Sequence, residues 1–191
     1  MSKKIKIIGT ISLVFFLILT AFLVYEASRP AQVSSSHSGA VSNAVVDATE
    51  KIEGAIGGGS SPNTPEEPDK GPTLSEQMRA NWGKFNQLIR KGIGHFGAFA
   101  VLAIFGAVGI LLLNRSKVGG AVVTLVLGIS VALITEIIQL YTEGRAGSAD
   151  DVILDFSGYV VGFLAVAVIL GIVAIVRYFS SKQKKITQKG A

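Results

Sequence analysis

Four long apolar runs, Ile5 to Tyr25, Ile93 to Leu113, Val118 to Tyr141 and Phe156 to Val176, constrain this chain more than any other feature. Each is roughly 20 residues or longer, the length a helix rising about 1.5 Å per residue needs to cross about 30 Å of hydrocarbon. A chain of 191 residues has room for one or two soluble domains, but with 49% of its residues apolar it reads as a membrane protein. The predicted fold is all-α: a polytopic membrane protein built as a four-helix transmembrane bundle, with amphipathic surface helices on the outer side.

The net charge of +5 says little until the charges are sorted by segment. Lys3, Lys4 and Lys6 precede or open the first crossing, Arg115 and Lys117 lie between the second and third, and Arg177, Lys182, Lys184, Lys185 and Lys189 end or follow the fourth. Those regions contain no acid, and every Asp and Glu falls in the other two connections or at the helix ends that border them. The basic regions mark the cytoplasmic side, which puts both termini inside a cell membrane. Basic tails flanking spans set topology and touch anionic headgroups, so nucleic acid is not the expected partner. The absence of cysteine excludes a disulfide framework, a thiolate metal site and a thiol nucleophile.

Residues 1–25 read as the first transmembrane helix. The apolar run is longer than a signal-peptide core, and its exit, Tyr25-Glu26-Ala27-Ser28, is a poor cleavage site, so a retained anchor is expected. Residues 26–90 form an extracytoplasmic region. His37 sits there in a Ser-rich stretch expected to be flexible, and Val41, Ala44, Val45, Ala48, Ile52 and Ile56 follow as a helical stripe expected on the outer membrane surface. Residues 57–73, rich in Gly and Pro, have the composition of a flexible linker. Met78, Trp82, Phe85 and Ile89 then make a second amphipathic helix from Leu74 to Arg90, with Trp82 suited to the headgroup layer. Residues 91–179 contain the remaining three spans, and 180–191 form a basic cytoplasmic tail.

Within the spans, Gly158 and Gly162 are four apart, and Gly94, Ala98 and Gly106 keep the second span thin. Small residues at such spacings let helix backbones approach closely in lipid. They serve either a compact bundle or a homo-oligomer interface.

Titratable groups gather at one end of three spans. Lys91 and His95 open the second, Glu136 and Gln139 close the third, and Asp151 and Asp155 open the fourth. Spacings of three and four put each pair on one helix face. The intervening Gly-rich loop, Tyr141 to Asp150, is short enough to hold two of these ends together and to place Arg145 above them. Ser148 is a candidate cap for the fourth helix, with Asp150 and Asp151 in its first turn. Charged groups near hydrocarbon are costly and mark a candidate functional site.

The run Arg90-Lys91-x-x-x-His95-Phe96, an apolar span, Thr135-Glu136-x-x-Gln139, Gly144-Arg145 and Asp151-x-x-x-Asp155-x-x-Gly158 resembles the VanZ-like family of bacterial membrane proteins. The exit of the first span, Ser28-Arg29-Pro30-Ala31 to Ser42, is similar to that family's continuation. The family is named for a protein that raises resistance to the glycopeptide teicoplanin, so the resemblance implies a cell-envelope role and an effect on that resistance. Asp155 stands where the family often has Asn, and Ala98-Phe99 replaces a frequent Glu-Tyr pair.

Three readings of the cluster stay open. In a binding reading, Lys91, Arg145 and Arg90 hold phosphate, and Gln139, Asp151 and the other acids position those cations or accept from ligand hydroxyls; the partner is a membrane lipid or a lipid-linked envelope precursor. In a catalytic reading, that of a membrane hydrolase or transferase, His95 is acid or base, oriented by Glu136 or Asp155. A divalent cation on oxygen ligands is compatible with it, although no His-Glu-x-x-His, Gly-x-Ser-x-Gly or phosphate-cradling motif is present and no metal or cofactor is predicted. In a structural reading, the same groups are an ion-pair network holding three helix ends in a scaffold.

Overall fold

A computed structural model of the protein describes residues 2–57 and 71–189, the last six of these in backbone only. Most of the expected linker, residues 58–70, and the side chains of Lys184, Lys185 and Lys189 lie outside the described residues. The elements in chain order are α1 (Lys3–Ala27), α2 (Ala31–Gly57), α3 (Leu74–Ala80), α4 (Trp82–Ile89), a π-helical stretch (Arg90–Gly97), α5 (Ala98–Leu113), α6 (Lys117–Leu140) and α7 (Ala149–Lys189). No strand occurs among the described residues. Four helical stretches, Lys3–Ala27, Trp82–Leu113, Lys117–Leu140 and Ala149–Gln183, are long and apolar enough to span a membrane. The protein is a multi-pass helical membrane protein, as the four apolar runs predict.

Local chemistry sets the helix ends. Ser2 accepts from the amide of Ile5 at the start of α1, and Ser116 accepts from Gly119 at the start of α6, each satisfying a donor that the helix leaves unpaired. Thr73 and Glu76 make a reciprocal capping box on α3. Ser148 accepts from the amide of Asp150, and Asp150 and Asp151 occupy the first turn of α7 as expected. The Lys117 ammonium donates to the carbonyls of Leu111 and Asn114, closing the tight turn between α5 and α6.

Small residues decide how the spans pack. Helix α5 is the central element, in contact with α1, α6 and α7. Gly9 faces Leu113, Gly109 faces Leu13 and Gly106 faces Phe16, an order that makes α1 and α5 antiparallel. Gly158 and Gly162 lie against the backbone carbonyls of Phe96 and Ala100, which makes α7 parallel to the helix entering and forming α5. The Gly-x-x-x-Gly pair thus serves packing within one chain. Gly94 does not join it, since a Cβ there would meet only Arg90 of its own turn, 4.0 Å away. Gly128 of α6 receives the ring of Tyr159, which is fully buried in a core with Phe16, Phe99, Leu102, Ala103, Ala107, Leu111, Val131, Ala132, Phe163 and Val166. Phe16 brings α1 into the same core as the other three spans. These directions place the end of α1, the start of the second span, the end of α6 and the start of α7 together.

Helix α2 runs the length of the Ser-rich stretch, which corrects the expectation of a flexible segment around His37. The hydroxyls of Ser35, Ser36 and Ser38 bond to carbonyls three residues back, so the serines support the helix they were expected to loosen. Ser42 and Val46 are fully buried, and Ser42 donates to Asn86 of α4 at 2.9 Å. Glu53 accepts from the amide of Leu74 at 2.8 Å and from Ser75, and Arg79 of α3 pairs with Glu50 at 2.7 Å and Asp47 at 3.4 Å. The polar side of α2 therefore faces the protein, while Ile52 and Ile56 point away from it. The stripe Met78, Trp82, Phe85 and Ile89 is half-buried as expected, but the single helix read from it is two, broken at Asn81.

Candidate functional site

Two rungs join the π-helical stretch to α7. Lys91 Nζ lies 2.7 Å from Asp151 Oδ1, and His95 Nδ1 lies 3.0 Å from Asp155 Oδ1. Both partners sit 60 residues apart in sequence, the signature of two parallel helices in one register, with the Gly158 and Gly162 contacts continuing the same ladder one turn deeper. The rungs differ in environment. Lys91 and Asp151 are 36% and 13% exposed, whereas His95 is 16% and Asp155 only 1% exposed. A carboxylate can only accept, so a neutral His95 carries its proton on Nδ1 and leaves Nε2 with a lone pair. The π-helical turn that presents Lys91 and His95 is a rare geometry, frequent at functional sites. The glycines Gly92, Gly94 and Gly97 fall within it, and a Cβ on Gly97 would come within 3.2 Å of the Gly92 carbonyl.

Glu136 is 5% exposed at the end of α6, where one carboxyl oxygen, Oε1, accepts from the amide of Ser148. It thereby ties the end of α6 to the start of α7, instead of pairing with Lys91 or Arg145. Its Oε2 is buried with no hydrogen-bond partner, as is the hydroxyl of Tyr159 one turn below Asp155. Gly144, at φ +70, makes the turn that carries the loop over the α1–α2 junction, where Ala31 donates to the Glu143 carbonyl at 3.1 Å and Thr142 to that of Ala27 at 3.2 Å. That docking fixes where Arg145 stands.

A cavity of about 350 Å³ opens between these elements, with walls from α1, α2, the end of α4, the π-helical stretch, α5, α6, the loop and α7. Its apolar wall includes Phe22, Leu23, Val41, Ile89, Ile93, Ala98 and Phe99, and its polar wall Glu26, Ser34, His37, Ser38, Arg90, His95, Thr135, Gln139, Arg145 and Asp155. Of the residues expected from sequence, His95, Gln139, Arg145 and Asp155 line it, while Lys91, Glu136 and Asp151 stand behind as ties between helices. His95 Nε2 makes no hydrogen bond among the described residues and is not among the enclosed atoms.

The charge balance of the cavity is uneven. Asp155 is taken by His95, and Glu26 lies 3.6 Å from Arg29 and 3.7 Å from His37. The side chains of Arg90 and Arg145 form no ion pair or hydrogen bond among the described residues. Burial and the like charge of Arg90 push the Arg145 pKa down, against the weaker pull of Glu26 and Glu136. A guanidinium stays protonated regardless, so the two cations face one cavity at a cost that an anion between them would relieve.

Glu26, His37, Ser34 and Thr135 were missed as cavity residues. Glu26 had a signal, being the acid that ends the first span at the face where the other titratable groups gather. His37 had none, because its place depends on α2 folding back over the bundle. Among the described residues no group of three or more His, Asp or Glu side chains is placed to hold a metal ion.

No curated protein and no solved structure matches the chain. The family model VanZ/LLP1 matches residues 12–171, from the first span through most of α7, and so includes every element of the cavity. The protein belongs to the VanZ/LLP1 family.

Proposed function

We propose that the protein works at the extracytoplasmic face of the membrane, where the cavity binds the phosphorylated headgroup of a lipid-linked envelope component and thereby alters susceptibility to teicoplanin. The observation that carries this reading is the pair Arg90 and Arg145, two cations in one half-apolar cavity whose side chains form no ion pair among the described residues. Phosphate is bound well by paired guanidinium forks, and the wall of Phe22, Leu23, Ile93 and Phe99 suits the first carbons of a lipid chain. Gln139, Thr135 and His37 offer hydrogen bonds to a headgroup. Lys91 and Asp151, assigned to the ligand from sequence alone, serve here by holding the π-helical stretch against α7. The basic ends of the chain support the orientation, with both termini in the cytoplasm.

The test is binding of a polyisoprenyl phosphate in phosphatidylcholine vesicles by the full chain and by Arg90→Gln/Arg145→Gln. Losing one charged hydrogen bond costs about 1.5–3 kcal/mol, so each substitution is expected to weaken binding by roughly tenfold or more. Teicoplanin susceptibility, normalised to membrane abundance, is expected to shift in step. Undiminished binding by the double variant, or equal susceptibility with and without the protein, overturns the reading.

A second reading has its own observation. His95 faces the same cavity with its Nδ1 held by Asp155, an arrangement in which Nε2 serves as general base in a hydrolase or transferase acting on the bound headgroup. His95→Gln is then expected to keep binding and abolish turnover of the lipid phosphate, whereas a binding protein shows no turnover in either form.

A further inference from the structure

We infer that the protein carries a second lipid site at the opposite end of the bundle, a cleft between α1, α5, α6 and α7 that takes one acyl chain of an anionic glycerophospholipid, with its phosphate between Lys117 and Arg177. The cleft has a volume of about 590 Å³, larger than the first cavity. Its walls are Leu111, Leu112, Phe163, Leu170, Val173 and their small neighbours, and Lys117 and Arg177 are its only charged members. The cleft exists because α7 outruns its packing. From Gly171 through Gln183 every residue of the helix is exposed, and a Cβ on Gly171, which lines the cleft, would meet nothing within 4 Å.

Charge decides the occupant. An apolar cleft at membrane depth fills with hydrocarbon, and the choice among lipids falls to the groups at its mouth. Arg177 forms no ion pair among the described residues. Lys117 touches only the carbonyls of Leu111 and Asn114, which leaves its charge unneutralised. No acid lines the cleft. Nothing near it can pair with a zwitterion's ammonium, so a headgroup of net negative charge is preferred. A second copy of the chain is the competing occupant, but it would bring its own Lys117 and Arg177 to the same face, and like charges would meet.

Native mass spectrometry of the detergent-solubilised full chain separates the cases, with Arg90→Gln/Arg145→Gln as background so that only the second site is counted. Phosphatidylglycerol is expected to be retained in preference to phosphatidylcholine, and adding Lys117→Gln and Arg177→Gln is expected to lower that preference by roughly thirtyfold, the combined effect of two basic residues near an anionic headgroup. Gly171→Phe, whose Cβ meets nothing within 4 Å and whose ring takes up room in the cleft, is expected to weaken retention of either lipid, and Gly171→Ala to leave it. Equal retention of the two lipids, an unchanged preference after both charge substitutions, or a protein dimer mass in place of the lipid adduct overturns the inference.

Discussion

Gly158→Ala is expected to destabilise the protein, while the same change at Gly171, more than three turns along the same helix, is expected to do the opposite. At Gly158 the new methyl would run into the backbone carbonyl of Phe96, with its carbonyl carbon and Cα both 2.9 Å away. Backbone cannot rotate aside as a side-chain tip can, so α5 and α7 must part. Overpacking of this kind costs about 1–3 kcal/mol. Parting the helices also lengthens the rungs just above, from 3.0 Å at His95–Asp155 and 2.7 Å at Lys91–Asp151. At Gly171 the methyl meets nothing, and only the helix preference of Ala over Gly remains, up to about 1 kcal/mol in favour. The helix preference accrues at both positions, so the two variants should differ by the overpacking cost alone, about 1–3 kcal/mol. Thermal unfolding in one detergent, followed by circular dichroism, reads the difference directly. Equal midpoints for the two variants would refute both the parallel backbone contact and the register that sets the rungs.

Asp155→Ala is expected to cost more than Asp151→Ala by about 1–2 kcal/mol in the same unfolding assay, because the half-exposed Lys91–Asp151 pair contributes little more than the roughly 0–1 kcal/mol of a surface pair whereas removing Asp155 leaves the Nδ1–H of His95 unpaired at a cost of about 1–3 kcal/mol. Asp155→Asn keeps an acceptor for Nδ1–H and should fold almost as well as the native chain. At the surface, Glu53 accepts from Leu74 and Ser75, and these hydrogen bonds, led by that from the Ser75 hydroxyl, hold its pKa below the ordinary 4.5. A depressed carboxylate stabilises fully above its unfolded pKa and loses that contribution as pH falls through the folded one. Protection of the Leu74 and Ser75 amides, their exchange relative to the intrinsic rate at each pH, should accordingly be high at neutral pH and fall below about pH 4.5, and Glu53→Gln should remove that fall. Constant protection across that range would exclude the contact.

Periodicity found the spans because crossing hydrocarbon imposes a length and a composition that few other folds share. It also found the pairs Lys91/His95, Glu136/Gln139 and Asp151/Asp155, since a helix of known pitch fixes which residues share a face. What it could not supply is which face meets which. That Lys91 takes Asp151, and His95 takes Asp155, follows from the parallel register of two helices, and the register follows from the two glycine contacts with Phe96 and Ala100. The π-helical turn was equally hidden. Three glycines in Gly92 to Gly97 show a weak helix, but not that it widens.

Helix α2 shows the limit most clearly. Its apolar residues Val41, Ile52 and Ile56 marked a buried or membrane-facing side, and hydrophobicity alone would press that side onto the protein. Instead Ser42, Val46 and Glu53 do the docking, because α3 and α4 present amide donors and the Arg79 guanidinium, and unmet polar groups cost more than exposed methyls in a headgroup layer. With its polar side inward, α2 brings Ser34, His37 and Ser38 over the cavity mouth and leaves a hydrocarbon-compatible face outward. In the lipid-binding reading we propose, a headgroup entering from the membrane plane would meet Arg90 and Arg145 while its chain stayed among Phe22, Leu23 and Val41.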